Sequence, residues 1–171
     1  MAVSIYDSNI FGKAFTTPET RLIFSDSEYV RCIVKTEVAL ARAQEFSGLL
    51  PPGTASEIEN SLNAEEIDVD ELAKSFLKIG RPILGVVEQL RAQAGTNSNW
   101  IHYGASTYDI MDTARVLQIK QAISSIESRL IQILSKFDKL INDHGDAIMA
   151  SRSNNMHSAT QTFGLKIAVY A

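Results

Sequence analysis

Cysteine is all but missing from this chain. Of 171 residues only Cys32 is one, so no disulfide can close within it and a bridge-stapled fold is excluded. A reducing, cytoplasmic setting is the expectation that follows. Basic excess is also lacking: 16 Lys and Arg against 20 Asp and Glu leave a net charge of -4. No basic stripe is available, and no nucleic-acid partner is expected. No uncharged apolar run approaches the roughly 20 residues that cross a bilayer, so no membrane partner is expected either. The amino terminus, MAVSIYDSNIFGK, lacks a basic segment followed by an apolar one, and no secretory signal is read there. Strand-like alternation, low-complexity tracts and internal repeats are not found. His102, His144 and His157 lie too far apart in sequence to propose a metal site.

What remains is a chain with 45% hydrophobic residues, enough for a sizeable core, punctuated throughout by helix starts and stops. Thr17 before Pro18 reads as a cap and first-turn proline, predicting a short helix to about Phe24. Ser25 and Glu28 have capping-box spacing and open a helix that ends near Gly48, with Pro51 and Pro52 beyond. Along it Val30, Ile33, Val34, Val38 and Ala41 mark one buried face. Thr54 with Glu57, and Asp68 with Glu71, repeat the box signature. The second of these precedes Leu72, Phe76 and Ile79 and closes at Gly80. Pro82 begins a further helix, stopped by Gly95.

A different scale of pattern follows Thr107. Ile119, Ile123, Ile126, Leu130, Ile133, Phe137 and Leu140 fall at alternating steps of four and three, a heptad seam on a helix expected from Thr107 to about Asn142. At 1.5 Å per residue such a helix is roughly 50 Å long and needs long partners, in its own chain or in other subunits. The seam reads as core or subunit interface. His144 and Gly145 should end it. The final stretch, MASRSNNMHSATQTFGLKIAVYA, is expected to begin a new helix, continuous from Thr160 to Ala171. The chain stops inside that element, so the expectation is a piece of a longer protein, or a short protein that completes its bundle by self-association.

The stretch with the character of a site is HYGASTYDIMDTA, His102 to Ala114. Gly95 to Asn99 form a turn-rich loop that delivers Trp100 and His102, then Gly104, then Ser106 and Thr107 at the mouth of the long helix. Unpartnered N–H groups and the helix dipole suit that mouth to a carboxylate or phosphate. The hydroxyls add donors, and an imidazole can move a proton near neutral pH. Ser106 or Thr107 acting simply as a helix cap is the competing reading from local pattern.

Three stretches, in the same order and spacing, carry a family resemblance: SIYDSNIFGKAFTTPETRLIFSD with EVALARAQ and GLLPP; HYGASTYDIMDTA; and MASRSNNMHSATQTFGLK. Essentially the whole chain resembles the amino-terminal part of the fumarase/aspartase superfamily. Within it the 3-carboxy-cis,cis-muconate cycloisomerases are most similar, with the adenylosuccinate lyases next. The resemblance implies an all-α fold: a small helical domain over residues 1–105, then over 106–171 the first long helices of a central bundle. It further implies a homotetramer whose active sites draw on three subunits. A third motif, a mobile loop with a serine base, is placed beyond position 171, so residues 1–171 alone are expected to be inactive. The chemistry implied is addition or elimination next to a carboxylate of a di- or tricarboxylate, foremost lactonisation of 3-carboxy-cis,cis-muconate in protocatechuate breakdown. No organic cofactor or metal is implied.

By the same resemblance His102 is a substrate contact or proton donor, the catalytic candidate. Ser106 and Thr107 match a hydroxyl pair usually written in the opposite order. Asp109 matches an acidic residue that orients or caps. Arg152 and Ser153 match an Arg-Thr pair: Ser153 would contact substrate, and Arg152 would pair with a carboxylate or tie the loop down. Asn154 stands where adenylosuccinate lyases have a histidine and cannot act as an acid or base, and Met156 replaces a glutamine. His157 matches a histidine frequent among cycloisomerases. These departures, with the missing Arg-Tyr pair near the amino terminus, weigh against a nucleotide substrate. An adenylosuccinate lyase-like C–N lyase and a non-catalytic helical assembly module are the competing expectations.

Overall fold

A computed structural model describes residues 4–171, which fall into two compact units, the first ending at Ala122 and the second spanning Ile123–Ala171. The first is helical throughout. A 3-10 turn at Ile5–Asp7 leads to α1 (Gly12–Phe15), α2 (Pro18–Ile23), α3 (Asp26–Phe46) and α4 (Thr54–Ser61). After a second 3-10 turn come α5 (Val69–Ile79), α6 (Pro82–Ala94), a 3-10 segment at Gly95–Trp100, and the start of α7 (Thr107–His144). The all-α expectation is met. Thr17 caps α2 through the Thr20 N–H, Ser25 caps α3 through that of Glu28, and Asp68 caps α5 through those of Asp70 and Glu71. Gly80, at φ 75°, takes the left-handed conformation that closes α5, which a Cβ would strain.

The core of this unit is one cluster. Cys32, Ile33, Ile58, Ile83, Val86, Leu90 and Ile101 are each at most 2% exposed, joined by Ile110 and Ala114 from the first turns of α7. On α3 the expected face is buried at Val30, Ile33, Val38 and Ala41, with Val34 half-buried against it. That same face also buries Thr36, Glu37 and Gln44, which apolar periodicity does not announce.

The start of α4 differs from expectation. Thr54 lies inside the helix, and Gly53 at φ 91° occupies the cap position without a side chain to offer. Glu45, at the end of α3, reaches across instead, accepting from the main-chain N–H groups of Gly53 at 3.0 Å and Ala55 at 2.6 Å. The Ala55 bond and then the Gly53 bond hold the Glu45 carboxyl below its ordinary value of 4.5. Because the folded-state value is the lower one, this stabilisation is complete above 4.5 and is lost as pH falls through the folded value. Glu45→Ala is therefore expected to lower the melting temperature at neutral pH, with the gap to wild type narrowing in acid; calorimetry across that range checks it.

In the second unit α7 continues to His144, two residues past the expected end, and Gly145 follows it. Beyond lies the main correction. Residues read as helix form a hairpin, β1 (Ile148–Ser153) antiparallel to β2 (Met156–Thr162), with Ile148 opposite Thr162 and Ser153 opposite Met156. A bulge interrupts the register between Ala150 and Arg152. Asn154 and Asn155 form its two-residue turn, at φ 48° and 63°, the positive values that a twist-matched hairpin turn requires and that asparagine tolerates. Alternation was invisible because neither face of the hairpin is buried; a period of two is written into a strand only when one face must be apolar. The closing helix is correspondingly shorter than expected: α8 spans Phe163–Ala168, capped by Thr162.

The α7 seam is uncovered. Ile123, Ile126, Leu130 and Ile133 are between 44% and 58% exposed. Among the described residues no helix is long and apolar enough to cross a membrane.

Candidate functional site

Three side chains from two helices grip the loop that carries His102. Ile101 anchors it in the core at 1% exposure, and Arg91 of α6 donates to the Ile101 carbonyl at 3.2 Å. Gln44 of α3 donates through Nε2 to the Tyr103 carbonyl at 2.7 Å. Glu37, one residue on from Thr36 in the same helix, takes His102 itself. Its Oε1 lies 2.7 Å from the imidazole Nδ1, and its Oε2 accepts the His102 main-chain N–H at 3.0 Å. The Glu37 side chain is 1% exposed and that of His102 13%.

His102 sits at φ 60°, in the left-handed region where a non-glycine residue is uncommon, though histidine is among those enriched there. Such a conformation persists when surrounding bonds over-determine it. The grip of Glu37 on both ring and main chain does that here. Trp100 packs edge-on against Tyr103, ring centroids 5.2 Å apart, on either side of the Ile101–His102 pair.

Four residues on, α7 opens with a reciprocal cap. The Ser106 N–H donates to Asp109 Oδ2 at 3.0 Å, and the Asp109 N–H reaches Ser106 Oγ at 3.4 Å. The Ser106 main-chain N–H, then its hydroxyl, hold the Asp109 carboxyl below its ordinary value of 3.8, so it stands ionised at the helix mouth. Beside this cap is a pocket of about 270 Å³ walled by Gly80, Arg81, Pro82, Ser106, Thr107, Tyr108 and Met111. Residues at the start of α6 and at the start of α7 share its wall, and Arg81 is the cationic residue among them. Two hydroxyl residues and an arginine at the positive end of a helix dipole suit a carboxylate.

His102, Ser106, Thr107 and Asp109 thus belong to the first unit, within one eight-residue span. The other candidates belong to the second. Arg152 and His157 are opposite one another in the hairpin register, which places them on the same face; Ser153 ends β1 and Asn154 makes the turn. Their side chains are solvent-facing and make no hydrogen bond among the described residues.

Glu37, Gln44, Arg91 and Arg81 are not among the residues to which the sequence points. For Glu37 a signal existed: it stands at a step of four from both Ile33 and Ala41, a carboxylate set into an apolar stripe. Arg81 carried none, since its relation to Ser106 is made only by the packing of α6 beside α7.

Residues 13–171 match a protein-family model described as Lyase. Trans-aconitate decarboxylase 1 of Mycosarcoma maydis is 39% identical over 94% of this chain, which covers 32% of that protein. N-acetyl-S-(2-succino)cysteine lyase of Dickeya dadantii is 33% identical over 99% of this chain, corresponding to 37% of its own length. The crystal structure of 3-carboxy-cis,cis-muconate lactonizing enzyme from Pseudomonas putida matches with a TM-score of 0.87 at 31% identity. That match covers 95% of this chain and 38% of the other. The chain therefore spans between 32% and 38% of the length of these three proteins.

Proposed function

The chain belongs to the lyase family of the fumarase/aspartase superfamily, and from that premise we propose that its protein acts on an unsaturated di- or tricarboxylate by addition or elimination beside a carboxylate. Lactonisation of 3-carboxy-cis,cis-muconate is the leading reaction. The observation that carries this reading is the pocket where Arg81 meets Ser106 and Thr107 at the mouth of α7.

A carboxylate seated there gains charge as a proton leaves or joins the adjacent carbon, and fixed donors around its oxygens stabilise that charge. Ser106 and Thr107 hold one carboxylate, Arg81 neutralises it, and Asp109 orients Ser106. In lactonisation a carboxylate oxygen of the muconate bonds to a carbon of its own double bond, and a proton joins the neighbouring carbon. His102 is the group assigned to carry that proton. Arg152, Ser153, Asn154 and His157 are proposed to bind substrate, and the exposed α7 seam to join subunits of a homo-oligomer, a homotetramer by resemblance.

A second reading is favoured by the 39% identity to a trans-aconitate decarboxylase. Trans-aconitate is also an unsaturated tricarboxylate, and its decarboxylation likewise ends with a proton delivered to carbon. The test is to offer the protein encoded by the full reading frame 3-carboxy-cis,cis-muconate, trans-aconitate, N-acetyl-S-(2-succino)cysteine and adenylosuccinate separately. Loss of diene absorbance, carbon dioxide release and product absorbance are followed. Turnover of the muconate supports the leading reading. Turnover of another substrate alone reassigns it, and turnover of none sinks the enzymatic reading in favour of a helical assembly module.

A further inference from the structure

We propose that Glu37 is the positioning residue for His102, fixing its ring as the Nδ1-protonated tautomer so that Nε2 is the atom that exchanges a proton with substrate. This rests on the reading of His102 as the proton-carrying group. The geometry is specific. A buried carboxylate has only acceptor atoms, and both are spent on one residue: Oε2 on its main-chain N–H, Oε1 on its Nδ1. With the Glu37 carboxylate as acceptor, the 2.7 Å contact to Nδ1 assigns the hydrogen to that nitrogen. Nε2 makes no hydrogen bond among the described residues, so it alone is left to take or give a proton. Holding the main-chain N–H as well ties the ring to the φ of 60° that aims it.

A simpler role, in which Glu37 only fastens the loop, makes different predictions, because Gln44 and Arg91 already hold the carbonyls on either side. Glu37→Gln keeps the size and one acceptor but offers an NH₂ that donates to Nδ1, favouring the opposite tautomer. In the full-length protein it is expected to lower kcat by about 10- to 100-fold, by analogy with the loss seen when the hydrogen-bond partner that fixes a metal-ligating histidine's tautomer is removed, with KM little changed. Glu37→Asp, one methylene short, should fall between the two. In a His102→Asn background Glu37→Gln should have no further effect on kcat, since residues acting as a unit are not additive. Spectra of protein labelled with ¹⁵N-histidine should show His102 protonated on Nδ1 in wild type and on Nε2 in Glu37→Gln.

Glu37→Gln at the wild-type kcat, or an unchanged tautomer, overturns the proposal. So does an equal loss of kcat in the His102→Asn background. Should Glu37→Gln fail to fold, Glu37→Asp decides, wild-type kcat there being the overturning result. A His102→Asn enzyme that works at the wild-type rate defeats the underlying reading of His102 instead. The two failures are thereby told apart.

Discussion

His102→Asn in the full-length protein is expected to reduce kcat by about 10²- to 10⁴-fold, the usual contribution of a positioned acid or base. Asparagine is the informative replacement. It tolerates the φ of 60° at this position, and its amide can still donate to Glu37, so the buried carboxylate keeps a partner. It cannot carry a proton. Alanine would leave Glu37 with the main-chain N–H alone and confound lost chemistry with the cost of a buried charge short of a partner. Steady-state kinetics and a melting curve on the same preparation separate the two effects. A slow enzyme melting near wild type is the result expected, and an asparagine variant at full speed removes His102 from the mechanism.

The largest effect on stability is expected at Leu90→Ala. Leu90 is 0% exposed on α6, within the cluster that joins α3, α4, α6 and the start of α7. Truncation there removes buried methyl groups and leaves a cavity with little freedom to collapse, a loss of about 2–5 kcal/mol. Leu77 on α5 is the matched control. It is 85% exposed, so Leu77→Ala should change stability by no more than about 0.5 kcal/mol. Denaturant or thermal unfolding of both variants beside wild type checks the contrast. Comparable losses at the two positions would mean that Leu77 is covered in the assembled protein.

The helices of the first unit were legible because their signals are local. Ser25, Asp68, Pro82 and Gly80 act on N–H groups, carbonyls and dihedrals within a few residues of themselves, and the sequence states them directly. The cap of α4 was not legible, because Glu45 supplies it from another helix. The β1–β2 hairpin lacked the pattern that burial would impose, and the Asn154–Asn155 pair was its only local mark. At the candidate site, His102, Ser106 and Thr107 stood out through residue type at a loop–helix junction. Their supports did not: Glu37 and Arg81 meet them only through tertiary packing.

The bonds that present His102 also say when in folding it can appear. Glu37 and His102 are 65 positions apart, and Gln44 and Tyr103 are 59. Closing loops of that size costs chain entropy before any bond repays it, whereas α3 and α6 form from contacts a turn apart. The imidazole is thus set in place late, after the helices that flank it. In a nascent chain the bonds between Glu37 and His102 are therefore expected to close only once the start of α7 has emerged, in the step that locks the first unit shut.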